Sequence, residues 1–191
     1  MTKLIILDRD GVINEDSDKF VKSVDEWIPI PGSMDAIAFL NQSGYQVVVA
    51  TNQSGIGRGY FTVHDLNEMH AKMHRLVQQA GGQIDAVWFC PHTAADQCQC
   101  RKPLPGMVHD ILQRYVNTDM KELYLVGDSL RDLQAIEAVG GQSVLVLTGK
   151  GKNTLATGGL PISTLVYEDL LEFAQALLWR QQQTQIKEQK D

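Results

Sequence analysis

The stretch LDRDGVIN, Leu7 to Asn14, follows the apolar run Leu4, Ile5, Ile6 without a break. Two aspartates, Asp8 and Asp10, stand one residue apart where a buried strand should end, and Gly11 follows at once. Side chains of an extended chain alternate with a period of two, so Asp8 and Asp10 point to the same side. Two convergent carboxylates repel each other unless a cation or a proton lies between them. A strand that ends in such a pair is expected to end at a site.

Outward from this point, short β-rich runs alternate with longer stretches of helical period. Strands are expected at Lys3 to Leu7, Gln46 to Ala50, Ala86 to Phe89, Leu123 to Val126 and Ser143 to Leu147. Helices are expected over about Met34 to Ser43, Val63 to Gln79, Met107 to Tyr115 and Leu130 to Val139. Strands apolar on both faces and separated by helices predict an α/β fold, a doubly wound parallel sheet of Rossmann-like type. Ligands of such sheets bind outside the carboxyl ends of the strands, where strand order reverses. That rule selects Asp8 and Asp10, then Thr51 and Asn52, then Gly127 and Asp128. Asp8, Asp10 and Asp128 together offer the hard oxygen donors that suit octahedral Mg²⁺, with room left for water and a phosphate oxygen.

The chain has 191 residues, 43% of them hydrophobic, enough for one sizeable core. A single domain over residues 1–180 is expected, with no large cap domain. The long early connection over residues 14–32 is expected to fold over the first strand end as a flap. Asp169 to Trp179 reads as an amphipathic helix before a polar tail, residues 181–191, that is expected to fray. The net charge of −6 argues against a surface built for nucleic acid or an anionic membrane, both of which reward clustered Lys and Arg. No apolar run approaches the roughly twenty residues needed to span a bilayer, and the N-terminus enters a strand pattern directly. A soluble, cytoplasmic protein is expected, and a monomer.

All three cysteines lie between residues 90 and 100, in CPHTAADQCQC. Cys90, His92, Cys98 and Cys100 would fill a tetrahedral Zn²⁺ shell and leave no position for water, so the site is expected to be structural. Arg101 and Lys102 follow the last ligand immediately, and a pinned loop would fix their approach to a phosphate. The glycine-rich TNQSGIGRGYF lacks the G-x-G-x-x-G spacing of a dinucleotide cradle and reads instead as substrate or flap contacts. His70 and His74 lie one helical turn apart without the Glu of H-E-x-x-H, and read as ordinary helix residues.

These residues resemble the haloacid dehalogenase phosphatase superfamily. DRDGV resembles its first motif, VVVATNQ its second with Thr51, CRKPLPG its third with Lys102, and VGDSLRD its fourth with Asp128 and Asp132. The resemblance implies a phosphomonoesterase in which Asp8 attacks phosphorus and Asp10 acts as general acid, then general base. It further implies Mg²⁺ held by Asp8, the Asp10 backbone carbonyl and Asp128, phosphate oxygens held by Thr51 and Lys102, and a supporting role for Asp132. With its zinc loop, the chain is most similar to the D-glycero-D-manno-heptose 1,7-bisphosphate 7-phosphatases, whose substrate is a phosphorylated sugar. That resemblance implies substrate contacts at Asp16, Lys19, Asn52, Gln53, Ser54 and Arg101. Histidinol-phosphate phosphatases share most of these motifs and are the rival reading. A non-catalytic, zinc-stabilised phosphosugar-binding protein is the alternative of another class, disfavoured because a binder gains nothing from a negative nucleophile facing a negative ligand.

Overall fold

The computed structural model describes residues 1–188. Six parallel strands form one sheet: β1 (Thr2–Leu7), β2 (Tyr45–Asn52), β3 (Ala86–Cys90), β4 (Thr118–Gly127), β5 (Gln142–Val146) and β6 (Leu165–Tyr167), in spatial order β3-β2-β1-β4-β5-β6. The helices are α1 (Ser33–Gln42), α2 (Ser54–Gly57), α3 (Val63–Gln79), α4 (Gly106–Arg114), α5 (Leu130–Glu137), α6 (Gly151–Thr157) and α7 (Leu170–Glu188). Strand order reverses on either side of β1, so the end of β1 is the switch point where such sheets open a crevice.

Leu4, Ile5, Ile6 and Leu7 are all fully buried, because β1 is covered on both faces. Ile5 and Leu7 join Val47, Val49 and Val126 under α1, α3 and α7, while Leu4 and Ile6 join Val48, Ala50 and Leu125 under α4 and α5. Each such side chain contributes about 1.5–3 kcal/mol of burial. Register then sets the site: Leu7 lies opposite Val49 of β2 and Val126 of β4, so Asp8, Thr51 and Asp128 emerge together within two residues of that level.

The five expected strands and four expected helices are present, with bounds shifted by a few residues, and α3 spans the expected Val63–Gln79. β4 begins at Thr118 rather than Leu123, because it joins β1 again at Thr2 across a register shift. β6, α2 and α6 are additions whose short, mixed sequences carry little periodicity. α7 runs past Trp179 to Glu188, into the polar tail; residues 189–191 of that tail lie outside the described residues. Among the described residues no helix is long and apolar enough to cross a membrane.

Candidate active site

A cavity of about 290 Å³ opens at the ends of β1, β2 and β4 and is lined by Asp8, Asp10, Thr51, Lys102 and Asp128. Lys102 is buried at its centre: its Nζ lies 3.1 Å from Asp8 Oδ1 and 2.5 Å from Asp132 Oδ1, and donates to the Ala50 carbonyl at 2.7 Å. Its backbone is clamped on both sides by Asn52, whose Nδ2 donates to the Lys102 carbonyl at 3.0 Å and whose Oδ1 accepts from the Lys102 N–H at 3.1 Å. Asn52, expected as a substrate contact, thus also seats the lysine. Asp132 is occupied at both oxygens, since its Oδ2 accepts from the Ser129 N–H and hydroxyl at the start of α5. Asp132 thus stands behind Lys102.

Six aspartates line the cavity, and four of them, Asp8, Asp10, Asp128 and Asp132, crowd together with Lys102 among them and Arg9 behind Asp10. Burial, then Asp132, pushes the Asp8 carboxyl well above its ordinary range, and the same two influences push Asp128 up to about 7. Burial works against the Lys102 charge, but Asp132 and Asp8 outweigh it and raise its pKa. Oxygens of Asp8, Asp128 and Asp132 lie within 4.8 Å of one another, and carboxylates this strained by proximity fit a hard divalent cation. The family resemblance placed Asp10 in that set through its backbone carbonyl; its side chain lies outside the cluster, committed to Arg9, Asn14 and Gln53.

Arg9 is fully buried and lies over Asp10, with Nη2 at 2.9 Å and 3.0 Å from its two oxygens. Gln53 Nε2 donates to Asp10 Oδ2 and to Thr51 Oγ1, both at 2.9 Å, and the Thr51 O–H is left to donate into the cavity. The sequence reading missed Arg9, whose lone signal is a charge between two site aspartates. It also missed the segment after β5. There the Lys150 N–H donates to Asp128 Oδ2 at 2.8 Å, Thr154 Oγ1 to the Asp128 carbonyl at 2.8 Å, and Thr148 Oγ1 to the Gly11 carbonyl at 2.6 Å. Gly11 and Gly149, both at positive φ, sandwich Asp128: a Cβ would lie 2.1 Å or 2.3 Å from its Oδ2.

The flap closes one wall. Asp16 lines the cavity and pairs with Lys150 Nζ at 2.9 Å, and Phe20 packs tilted against Tyr60, 5.2 Å between ring centroids. Ser54 and Arg101 also reach the lining, joined by Arg58 and Arg131, which carried no sequence signal. Lys19 is exposed and stays outside the lining; Lys150 supplies the cation on that side.

Cys90, His92, Cys98 and Cys100 converge with donor atoms within 4.8 Å of one another. The sulfurs are 3.2–3.6 Å apart, and His92 Nδ1 lies 3.4 Å from Cys100 Sγ and 3.6 Å from Cys90 Sγ. Tetrahedral Zn²⁺ with ordinary bond lengths needs edges of about 3.8 Å between sulfurs and about 3.5 Å from nitrogen to sulfur. The donor set therefore fits zinc with a slight expansion. Arg101 Nη1 donates to the His92 carbonyl at 3.2 Å, which ties the loop to the cavity rim.

A family model described as polynucleotide kinase 3 phosphatase matches residues 3–139. The D-glycero-beta-D-manno-heptose-1,7-bisphosphate 7-phosphatase of Neisseria meningitidis serogroup A is 68% identical over 92% of this chain and 95% of its own. The enzyme of that name from Bordetella bronchiseptica is 58% identical over 92% of this chain and 98% of its own. The chain belongs to the D-glycero-beta-D-manno-heptose-1,7-bisphosphate 7-phosphatase family of haloacid dehalogenase-type phosphatases. A crystal structure of a heptose bisphosphate phosphatase of this family, from B. bronchiseptica and complexed with magnesium and phosphate, superposes with a TM-score of 0.91 at 57% identity, covering 94% of this chain and 99% of that one. That from Burkholderia thailandensis gives 0.74 at 52% identity, covering 93% and 99%.

Proposed function

We propose that the protein is a Mg²⁺-dependent phosphomonoesterase that removes the 7-phosphate of D-glycero-D-manno-heptose 1,7-bisphosphate to leave heptose 1-phosphate. The observation that carries this reading is Asp8 at the switch point, 3.1 Å from a buried lysine and beside two more carboxylates, in a chain 68% identical to a phosphatase of that name. It is a single domain, with α7 carried on to Glu188, and works as a cytoplasmic monomer.

Lys102 and the Arg9 N–H, which donates to Asp8 Oδ1 at 2.7 Å, fix the plane of the nucleophile. Asp8 attacks phosphorus, an O–P bond forms as the bond to the C7 oxygen breaks, and Asp10 gives its proton to the departing alkoxide. Water then attacks the aspartyl-phosphate, Asp10 takes the water's proton, and inorganic phosphate leaves with Asp8 restored. Thr51 and Lys102 donate to the phosphoryl oxygens as charge shifts among them. Asp8, Asp128 and the Asp10 carbonyl would hold Mg²⁺, which would offset the repulsion between carboxylate and phosphate dianion, while Asp132 supports the site through Lys102. Cys90, His92, Cys98 and Cys100 hold a structural Zn²⁺, so that Arg101 and Lys102 approach along one path. Arg101, Asp16, Gln53 and Ser54 contact the sugar phosphate.

The test is Mg²⁺-dependent phosphate release from both anomers of heptose 1,7-bisphosphate and from histidinol phosphate, compared by kcat/KM. A preference of a hundredfold or more for a heptose anomer, about 2.7 kcal/mol of transition-state binding, is expected. Loss of release in Asp8→Asn is expected on every substrate. A preference for histidinol phosphate would overturn the substrate assignment, and full activity of Asp8→Asn the mechanism.

A further inference from the structure

Asp10 is held from behind by more donors than a loop aspartate needs. Its Oδ1 accepts from Arg9 Nε at 3.1 Å, Arg9 Nη2 at 2.9 Å and Asn14 Nδ2 at 2.8 Å, which saturates that oxygen. Its Oδ2 accepts from Arg9 Nη2 at 3.0 Å and from the Gln53 amide, which it shares with Thr51, at 2.9 Å. Arg9 itself is completely buried, and burying a guanidinium is costly unless its fork is matched to a planar acceptor.

The far side of Arg9 is equally specific. Its Nη1 is buried with no hydrogen-bond partner, and so is Nε2 of His70, on α3. His70 is 8% exposed, and burial first, then the charge of Arg9, holds its imidazole down at about 3. It therefore stays neutral at any working pH and offers a lone pair rather than a second charge. The two are not hydrogen-bonded to each other, but the charge of Arg9 is felt at His70, and a buried donor and a buried acceptor so placed are joined by one enclosed water.

We propose that Arg9, backed by neutral His70, is the positioning residue that ties Oδ1 of Asp10 to the interior and leaves Oδ2 as the oxygen that exchanges protons with leaving group and water. The inference rests on the assignment of Asp10 as general acid and base. A fork fixes the carboxyl plane as well as its place, whereas a lysine would supply charge without orientation. The role therefore depends on the shape of Arg9 and not only on its charge.

General acid catalysis matters for an alkoxide leaving group and little for a nitrophenolate, which leaves unprotonated. Arg9→Lys and Arg9→Met are therefore compared with wild type on heptose 1,7-bisphosphate and on p-nitrophenyl phosphate, reading the rapid first turnover. We expect the first turnover of the sugar phosphate to fall about 100-fold. That of the aryl phosphate stays within about threefold, KM changes little, and lysine gives no rescue. His70→Leu, which removes a neutral acceptor from a helix face, gives the same selective pattern at about 5–10-fold and decides the matter if the Arg9 variants do not fold. Equal losses on both substrates, or rescue by lysine, would overturn the proposal. Asp10→Asn run in parallel separates the two readings. If it loses the sugar phosphate far more than the aryl phosphate while the Arg9 and His70 losses ignore the leaving group, only the positioning role fails; if the Asp10→Asn loss also ignores the leaving group, the general acid assignment fails as well.

Discussion

The cysteine loop and the seat of Asp10 are built in opposite ways. Every donor of the loop lies between Cys90 and Cys100, so one stretch of chain carries the whole cluster. The donors around Asp10 come from the end of β1, the flap and the end of β2, with His70 of α3 behind them. A cluster that is local in sequence is held by whatever it binds, whereas one assembled across elements is held by the fold. Lys102 stands where the two meet. Its chain leaves the loop directly after Cys100, yet its side chain is fixed by Asp132 and Ala50 and its backbone by Asn52.

The largest effect is expected at that junction. Lys102→Met removes the cation between Asp8 and Asp132 and should lower kcat/KM about a thousandfold by loss of phosphoryl stabilisation. Stability should fall as well, by about 3 kcal/mol, since two buried carboxylates lose their partner. Steady-state rates in saturating Mg²⁺, with a thermal melt alongside, measure both. A loss under tenfold would reduce the lysine to an ion-pair partner.

The next test asks which construction seats Lys102. Cys98→Ser breaks the local cluster and Asn52→Leu breaks the clamp from β2. Each should lower kcat tenfold or more, and the double variant should lose less than the product of the two, because both act through one side chain. Chelation of zinc followed by resupply of Mg²⁺ should reproduce the cysteine variant, with a fall in Tm as the folding energy of the metal is lost. An unchanged rate after chelation would mean that Asn52 and Asp132 suffice.

The same contrast explains what the sequence could reveal. The sheet and the metal-type loop were legible because apolar runs and Cys/His spacing are properties of neighbouring residues. Asp8, Thr51 and Asp128 were legible because each follows a strand at a place the switch-point rule selects, and Lys102 because it follows the cysteine loop and matches a motif of the family it resembles. Arg9 was not, since a charge beside two aspartates reads equally well as a surface residue; only its burial gives it meaning. Lys150 and Thr154 were not, because the contacts that matter are made by a backbone N–H and a hydroxyl on a segment with no periodic pattern. Lys19 was expected as a cation from the flap; in the structure Lys150, from the segment after β5, lines that side of the cavity.

A smaller effect follows from the raised carboxylates. Asp128 titrates near 7 in the folded chain and near 4 when unfolded, so between these values the folded state binds more protons. Stability then falls as pH rises through that window. Without divalent cation, Tm should drop by several degrees between pH 5 and pH 8, and Mg²⁺ should restore it more at pH 8, where it has no proton to displace. A Tm flat with pH in both conditions would show that Asp128 is not under this strain.

The smallest effect tests the flap against the platform beneath it. Lys150 acts at two levels: its N–H holds Asp128, and its ammonium holds Asp16 at 2.9 Å and approaches Asp18 at 3.8 Å. Lys150→Ala keeps the first and deletes the second. An ion pair with a half-exposed lysine is worth about 0.2–1 kcal/mol, so loosening the flap should raise KM by no more than about fivefold. The platform is intact in this variant, and kcat should stay within about twofold. Asp16→Asn should raise KM further if Asp16 also contacts the sugar, because it removes that contact as well as the pair. A fall in kcat for Lys150→Ala at unchanged KM would mean instead that the ammonium steadies Asp128, and that flap and platform are one unit rather than two.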